Sequence, residues 1–344
     1  MIAKRLAPQL LALSLALSLS LSLALPLPAA ANDSASAIGI GGLVLTRSAA
    51  ISMDAEDLYL SRDEVRVRYR FTNRSDKDVE TLVSFPVPDL PGGVAEDLGD
   101  RDLPDYRELQ FRTTVDGKPV KLDYVERVEV GGRDVTRRLA QLGWPARWNL
   151  IDYDRQLAFL DTMSEADKQA YIREGLLRRS AEHDMLLPAW NLVTYVTRKQ
   201  VFPAGKTVEV THRYVPLAGG SVGGGLDPEY RKESDFFAHH VKHFCLDPAF
   251  MAAFDRRHGT GPQEKRLPYM EHWLHYILSS GANWRGPIGD FRLVVDKGKP
   301  DNLVSFCMDG VRKISPTQFE VRKRGFEPKS DIHVLIVEWA KPGE

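Results

Sequence analysis

The sequence predicts a mainly β (β-rich α+β) protein of two β-sandwich-like domains, the first discontinuous around a helical insertion. Three observations predict it. Val65–Phe71 sets Val65, Val67, Tyr69 and Phe71 on one face against Arg66, Arg68 and Arg70 on the other, and Val79, Thr81, Val83 and Phe85 alternate in the same way. Lys206–Val215 alternates as strictly, with Val208, Val210, His212 and Tyr214 on one face. This period of two marks strands half buried against a core. Between these regions, residues 131–188 lose the alternation and carry helix start and stop signals instead.

The first 31 residues read as a signal peptide. Lys4 and Arg5 precede a Leu/Ser/Ala run from Leu6 to Leu25, and Ala29-Ala30-Ala31 supplies a small-residue cleavage site, with cleavage expected after Ala31. No Cys follows to accept a lipid, and no second apolar run is long enough to span a bilayer. The mature chain is therefore expected in the periplasm, or otherwise exported, with no stable membrane span. Cleavage removes two basic and no acidic residues from a chain of formal net charge −1, which leaves no basic excess to attract nucleic acid. The two cysteines, Cys245 and Cys307, are expected to pair in an oxidising compartment.

The mature chain divides as follows. Residues 32–217 form the first domain, with the insertion at about 131–188. Gly41–Leu60 carries short β-runs. Val65–Phe71 and Val79–Phe85 are expected to pair as a hairpin across the turn-rich Asn73–Asp78, with Arg70 opposite Glu80. Asp89–Asp105, acidic and rich in Gly and Pro, reads as a loop. Asp116-Gly117 marks a second hairpin between Tyr106–Val115 and Pro119–Val130. In the insertion, Asp134–Leu142 reads as a short helix stopped by Gly143. Ser164-Glu165-Ala166-Asp167 reads as a capping box, opening a helix that Gly175 stops. Strands return at Trp190–Arg198 and Lys206–Val215.

Residues 218–226, Gly-rich, read as a linker. Residues 227–344 form the second domain, helices first and then a β-sandwich. Asp227-Pro228 and Asp247-Pro248 are helix starts. His272–Leu278, Phe291–Val295, Leu303–Met308, Phe319–Arg322 and Ile332–Trp339 are strands. The run IHVLIV is apolar on both faces and should be a central strand.

No assembled catalytic set emerges. Gly219–Gly223 matches GxSxG, but a nucleophile elbow needs an immediate helix, and three glycines with Leu226 intervene, so a linker accounts for it better. His239 and His243 stand one helical turn apart, the spacing that lets two imidazoles reach one zinc, with His272 or His275 as a possible third donor; a solvated helix face accounts for them without metal. No cofactor is expected. His212, on an apolar strand face, reads as a buried imidazole satisfied by a neighbour. Arg66, Arg68 and Arg70 read as a solvated face paired with Glu80 and its neighbours, or as a site for an anionic glycan or lipid. Trp144, Trp148 and Trp284 lie in loop-like stretches. They form either an interaction surface for sugars or proteins, or plugs that pack the insertion and the second domain.

The stretches GGLVLTRSAAISM (Gly41–Met53), VRVRYRFTNRSDKDVETLVSFPVPD (Val65–Asp89), FPAGKTVEVTHRYVPLAGG (Phe202–Gly220) and GANWRGPIGDFRLVVDKGKPDNLVSFC (Gly281–Cys307) resemble a bacterial family known as domain of unknown function 4424. The resemblance implies an exported envelope protein with no assigned activity, and it supplies no site residues. The function expected is non-enzymatic binding or scaffolding of an envelope protein or cell-wall component. The alternatives are a periplasmic metal-dependent hydrolase and a small-ligand-binding protein.

Overall fold

The computed structural model describes residues 34–39, 42–46, 48–87, 90–91, 109–148, 153–179, 186–216, 218–223, 225–232 and 234–340. The signal peptide, and the Asp89–Asp105 loop apart from Leu90–Pro91, lie outside them. The chain is mainly β. In the first half run β1 (Ser34–Gly39), β2 (Gly42–Thr46), β3 (Ile51–Ser61), β4 (Val65–Asn73), β5 (Val79–Pro86), β6 (Leu90–Pro91), β7 (Arg112–Val115), β8 (Lys118–Pro119), β9 (Asp123–Val130) and β10 (Arg133–Asp134). The insertion carries α1 (Thr136–Leu142), α2 (Tyr153–Asp161), α3 (Glu165–Glu174), β11 (Leu177–Arg179) and β12 (Leu186–Pro188). Then come β13 (Asn191–Phe202), β14 (Thr207–Tyr214), β15 (Ala218–Val222), α4 (Ser234–Phe244), α5 (Pro248–His258), β16 (Tyr269–Tyr276), β17 (Ile288–Asp296), β18 (Leu303–Phe306), β19 (Arg312–Lys313), β20 (Gln318–Phe326) and β21 (Ile332–Trp339).

Capping chemistry sets the helix ends where the sequence places them. Gly143 and Gly175 take left-handed conformations past α1 and α3, and Ser164 accepts from the Asp167 amide. Asp247 accepts from the Phe250 amide, with Pro248 in the first turn of α5. The Asp227 signal opens only a 3-10 turn, Tyr230–Lys232, with the Arg231 amide donating to Asp227 O. Its carboxylate lies 3.1 Å from His258 Nε2, and α4 begins later, at Ser234.

Three sheets make the body. One, of seven strands, runs β10-β9-β13-β5-β1-β2 with β6 paired on β13, one runs β19-β20-β17-β3-β4-β14-β7-β8, and one runs β15-β16-β21-β18. The Val65–Phe85 hairpin is corrected here. β4 pairs with β3 and β14, whereas β5 pairs with β13 and β1 in the facing sheet. Asn73–Asp78 is thus an arch from one sheet to the other, and Glu80 lies opposite Val201, away from Arg70. An arch and a hairpin show the same alternation; they differ only in whether the two apolar faces lie side by side or face each other. The Asp116-Gly117 turn does close a hairpin, of β7 and β8, with both residues at positive φ. β9 then crosses to the facing sheet.

A second arch, Phe202–Thr207, runs beside the first. Asn73, fully buried, joins them. Its amide nitrogen donates to Lys77 O and Phe202 O, each at 2.8 Å, and its oxygen accepts from the Ser75 amide at 2.9 Å. Its backbone amide donates to Lys206 O, and Ala204 N donates to Asp78 Oδ1.

The expected linker at 218–226 contains β15, which pairs with β16. A Cβ at Gly220 would collide with the Glu271 carbonyl, so the glycines there serve strand contact rather than flexibility. The expected second domain likewise does not form a sandwich of its own. β17 pairs in parallel with β3, from Asp290 opposite Ala55 to Asp296 opposite Ser61, so C-terminal strands extend a sheet begun near the N-terminus. One core spans both halves: Val67, Tyr69, Phe71, Phe85, Phe291 and Ile336 belong to the same buried cluster. β21 is central, as its two apolar faces require. Val334 and Ile336 enter the main core, while Leu335, Val337 and Trp339 pack with Phe244 and Phe254 under α4 and α5.

Asn73→Ala strips several buried groups of their partners at once. We expect a loss of about 2–4 kcal/mol of unfolding free energy, read as a lower urea midpoint at unchanged slope.

Candidate functional site

Strand register assembles a charged outer face on the eight-stranded sheet. The polar phase of β4 supplies Arg66, Arg68 and Arg70, and pairing places polar-phase residues of neighbouring strands beside them. One row across the strands reads Arg324, Asp290, Ala55, Arg70, Glu209. The next reads Arg322, Arg292, Asp57, Arg68, Thr211, Thr114. The third ends in Tyr59, Arg66, Arg213, Arg112. Arg66, Arg68, Arg213 and Arg322 keep half or more of their side chains exposed.

Carboxylates on this face are shared. Glu320 accepts from Arg292 and Arg312 at 2.8 Å and lies 3.1 Å from Arg322. The Arg292 hydrogen bond foremost, and then the other arginines, hold its carboxyl below the ordinary glutamate value. Asp57 serves Arg292 and Arg68, and Glu64 serves Arg66 and Arg213. Arg70, Arg112 and Arg324 have no acidic partner among the described residues. Three arginines adjacent across strands, Arg66, Arg213 and Arg112, form an arrangement that like-charge repulsion disfavours. Two clefts open here, one of about 420 Å³ lined by Arg68, Arg70, Arg292 and Arg322 with Glu209 and Asp290, and one of about 270 Å³ beside Arg112 and Arg213.

The histidines expected on one helix are brought together on α4, where the His239 and His243 rings stack at 5.4 Å. The row continues across the sheet, with His243 to His333 at 3.9 Å and His333 to His275 at 4.4 Å. His275 ends it beside Asp331, 3.7 Å away. Among the described residues no group of three or more His, Cys, Asp or Glu side chains is placed to hold a metal ion. His272, the other expected donor, points to the opposite face of β16, where its Nε2 lies 3.0 Å from Glu338. His240, between the stacked pair in sequence, is buried and meets Glu271 at 2.9 Å, docking α4 on the sheet.

The tryptophans expected as a possible interaction surface are core residues. Trp144 and Trp148 pack on Trp190, whose indole N–H donates to Ala146 O, and so fasten the insertion to the start of β13. Trp284 packs on Phe71 with ring centroids 4.6 Å apart and tilted by 48°, and closes the sandwich end beside the two arches. All three are under a tenth exposed. Large rings at the end of a layered core find more apolar contact inside than out. His212 is fully buried, with Nδ1 2.7 Å from the Thr113 hydroxyl. Ser221 lies in β15 and donates to Gly223 O, with no helix following. Cys245 and Cys307 form a disulfide across a separation of 62 residues, just past α4.

The arginines missed from sequence were Arg112, Arg213, Arg292, Arg322 and Arg324. Each occupies the polar phase of an alternating strand, which is a visible signal. Their convergence depends on strand order, above all on the parallel β3–β17 pair.

The fold and this face define a mainly β, multi-sheet protein with an open charged surface. The chain belongs to the family described as Domain of unknown function (DUF4424), whose model matches residues 31–335. Among solved structures, the chain is similar to a candidate nutrient-binding protein from Legionella pneumophila, at 14% identity and a TM-score of 0.41, over 89% of this chain and 72% of that one. A comparison with curated proteins returns no match. No helix among the described residues is long and apolar enough to cross a membrane.

Two predictions concern the histidine row and the disulfide. Burial, and then the neighbouring His275 and His243, push His333 from the ordinary 6.5 down to about 4, against the opposing pull of Asp331. A histidine depressed on folding binds more protons in the unfolded chain between those values, so stability falls as pH drops from 6.5 toward 4. His333→Asn should flatten that slope in urea titrations at stepped pH. Reducing Cys245–Cys307, whose two residues are exposed, should lower stability by about 2–4 kcal/mol, read as a lower melting temperature in reductant that Cys245→Ser/Cys307→Ser reproduces without it.

Proposed function

We propose that the protein is exported to the cell envelope and works there by binding an envelope protein or cell-wall component, without catalysis, through the outer face of its eight-stranded sheet. The observation that carries this reading is the row of adjacent exposed arginines, Arg66, Arg213 and Arg112, held in register on an open sheet face. Like charges set side by side on a β-face cost stability, and an anionic partner would relieve them. The signal-peptide pattern of residues 1–31 supports export, and the Cys245–Cys307 pairing suits an oxidising compartment.

The test is photocrosslinking in cells from position 211, at the centre of the face, combined with fractionation. The expected result is an envelope-fraction protein with an adduct at position 211. The adduct should be absent when the crosslinker sits at Lys168 on α3, and lost in Arg66→Gln/Arg213→Gln. Retention in the cytoplasm, or an adduct indifferent to the two arginines, would refute the reading.

A further inference from the structure

The chemistry of the ligand can be read from the charge pattern of the same face; this inference rests on the binding reading above. Every cation in the three rows is an arginine. A guanidinium offers planar, paired N–H donors that match a carboxylate or phosphate, which a lysine ammonium does not. Arg70, Arg112 and Arg324 are left without an acidic partner among the described residues, and Glu320 already serves three guanidiniums. Among the described residues the face therefore has donors to spare for acid groups.

It also has acceptors that a purely anionic ligand would not want. Glu209 and Asp290 line the 420 Å³ cleft together with Arg68, Arg70, Arg292 and Arg322, and so do Asp57, already paired with Arg292 and Arg68, and Glu56, turned inward toward the Tyr276 hydroxyl. Carboxylates repel a phosphate-dense surface but accept hydrogen bonds from hydroxyls. A ligand carrying acid groups and hydroxyls on the same unit satisfies both sets. The arginines continue from the cleft into the third row, two residues further along the strands, or about 7 Å. The ligand is accordingly longer than one unit. A bilayer fits less well: among the described residues one large exposed apolar side chain, Val215, borders these rows, at the 270 Å³ cleft, and a single valine is too little apolar surface to enter a membrane.

We infer that the outer face of the eight-stranded sheet is a binding site for a carboxylated sugar polymer. Arg68, Arg70, Arg292 and Arg322 clamp the acid groups, Glu209 and Asp290 accept from the hydroxyls, and Arg66, Arg213 and Arg112 hold the next unit.

The probe is polygalacturonate, titrated into the mature full chain, with dextran and anionic phospholipid vesicles in parallel. The wild type should bind polygalacturonate and not dextran, with affinity falling as salt is added. Arg70→Gln/Arg322→Gln should weaken binding about tenfold or more, the scale of losing charge-assisted hydrogen bonds, with an unchanged melting temperature. Arg137→Gln on α1, remote from the face, should bind as the wild type does. Absence of polygalacturonate binding, equal binding of dextran, preference for vesicles, or binding indifferent to Arg70 and Arg322 would each overturn the inference. The crosslinking experiment reads separately. An arginine-dependent adduct at position 211 without polygalacturonate binding would overturn the ligand class alone, and no adduct would overturn the binding reading itself.

Discussion

Asn73 and the two arches it joins are the constraint on which the layered body depends. A chain that passes from one sheet to the other must turn its backbone through the end of the core, where carbonyls and amides have no ladder partner. Here both crossings, Asn73–Asp78 and Phe202–Thr207, occupy the same end, and one buried side chain supplies what each lacks. Trp284 then seals that end against Phe71 and Phe202. Because both arches are fixed, β4 and β14 are adjacent in one sheet while β5 and β13 are adjacent in the other. That places Arg66 beside Arg213.

The parallel β3–β17 pair does the corresponding work for the other half of the face. Parallel neighbours need a long crossover, and here residues 62–287 lie between the two strands. Gly289, at the start of β17, permits the approach, since a Cβ there would press on the Asp54 carbonyl. A bulge between Met53 and Ala55 resets the phase of β3, so that Glu56 turns into the core near the Tyr276 hydroxyl and Asp57 stands outside. Asp57 is the carboxylate that receives Arg292 from one side and Arg68 from the other.

Local pattern carried far in this chain, and its reach ended at topology. The long alternating strands β4, β5, β13 and β14, the capped helices α1, α3 and α5, the Asp116-Gly117 turn and the central place of β21 were legible because propensity, period and capping act over a few residues, whereas the short strands β1, β6, β11, β12 and β15 were not. Whether Val65–Phe71 meets Val79–Phe85 edge to edge or face to face was not legible, since both arrangements bury the same side chains. The Gly-rich stretch misled for a physical reason: glycine signals freedom or close approach, and Gly220 answers to the second. For the tryptophans the sequence left surface and plug both open, because loop-like flanks say nothing of which way a ring points; the plug is what the fold holds. Of the candidate site, Arg66, Arg68 and Arg70 could be seen as a row from one strand. Its remaining arginines could be found singly but not assembled.

The distribution of cover over the three sheets argues for where function lies. The four-stranded sheet has α4 and α5 on one side and the main core on the other, fastened by His240 to Glu271 and by the disulfide past α4. On the seven-stranded sheet, α1 lies against β9, and the tryptophans pack the insertion at the start of β13. The outer face of the eight-stranded sheet instead keeps long, charged, exposed side chains. Their repulsion is partly offset by Asp57, Glu64 and Glu320, with Glu209 and Asp290 beside them. Solubility alone would be served by interspersed charges of both signs. The contiguous row Arg66, Arg213 and Arg112 is the feature the proposed ligand would balance, and a sheet paired on both sides of β14 would hold those guanidiniums in place before such a ligand arrived.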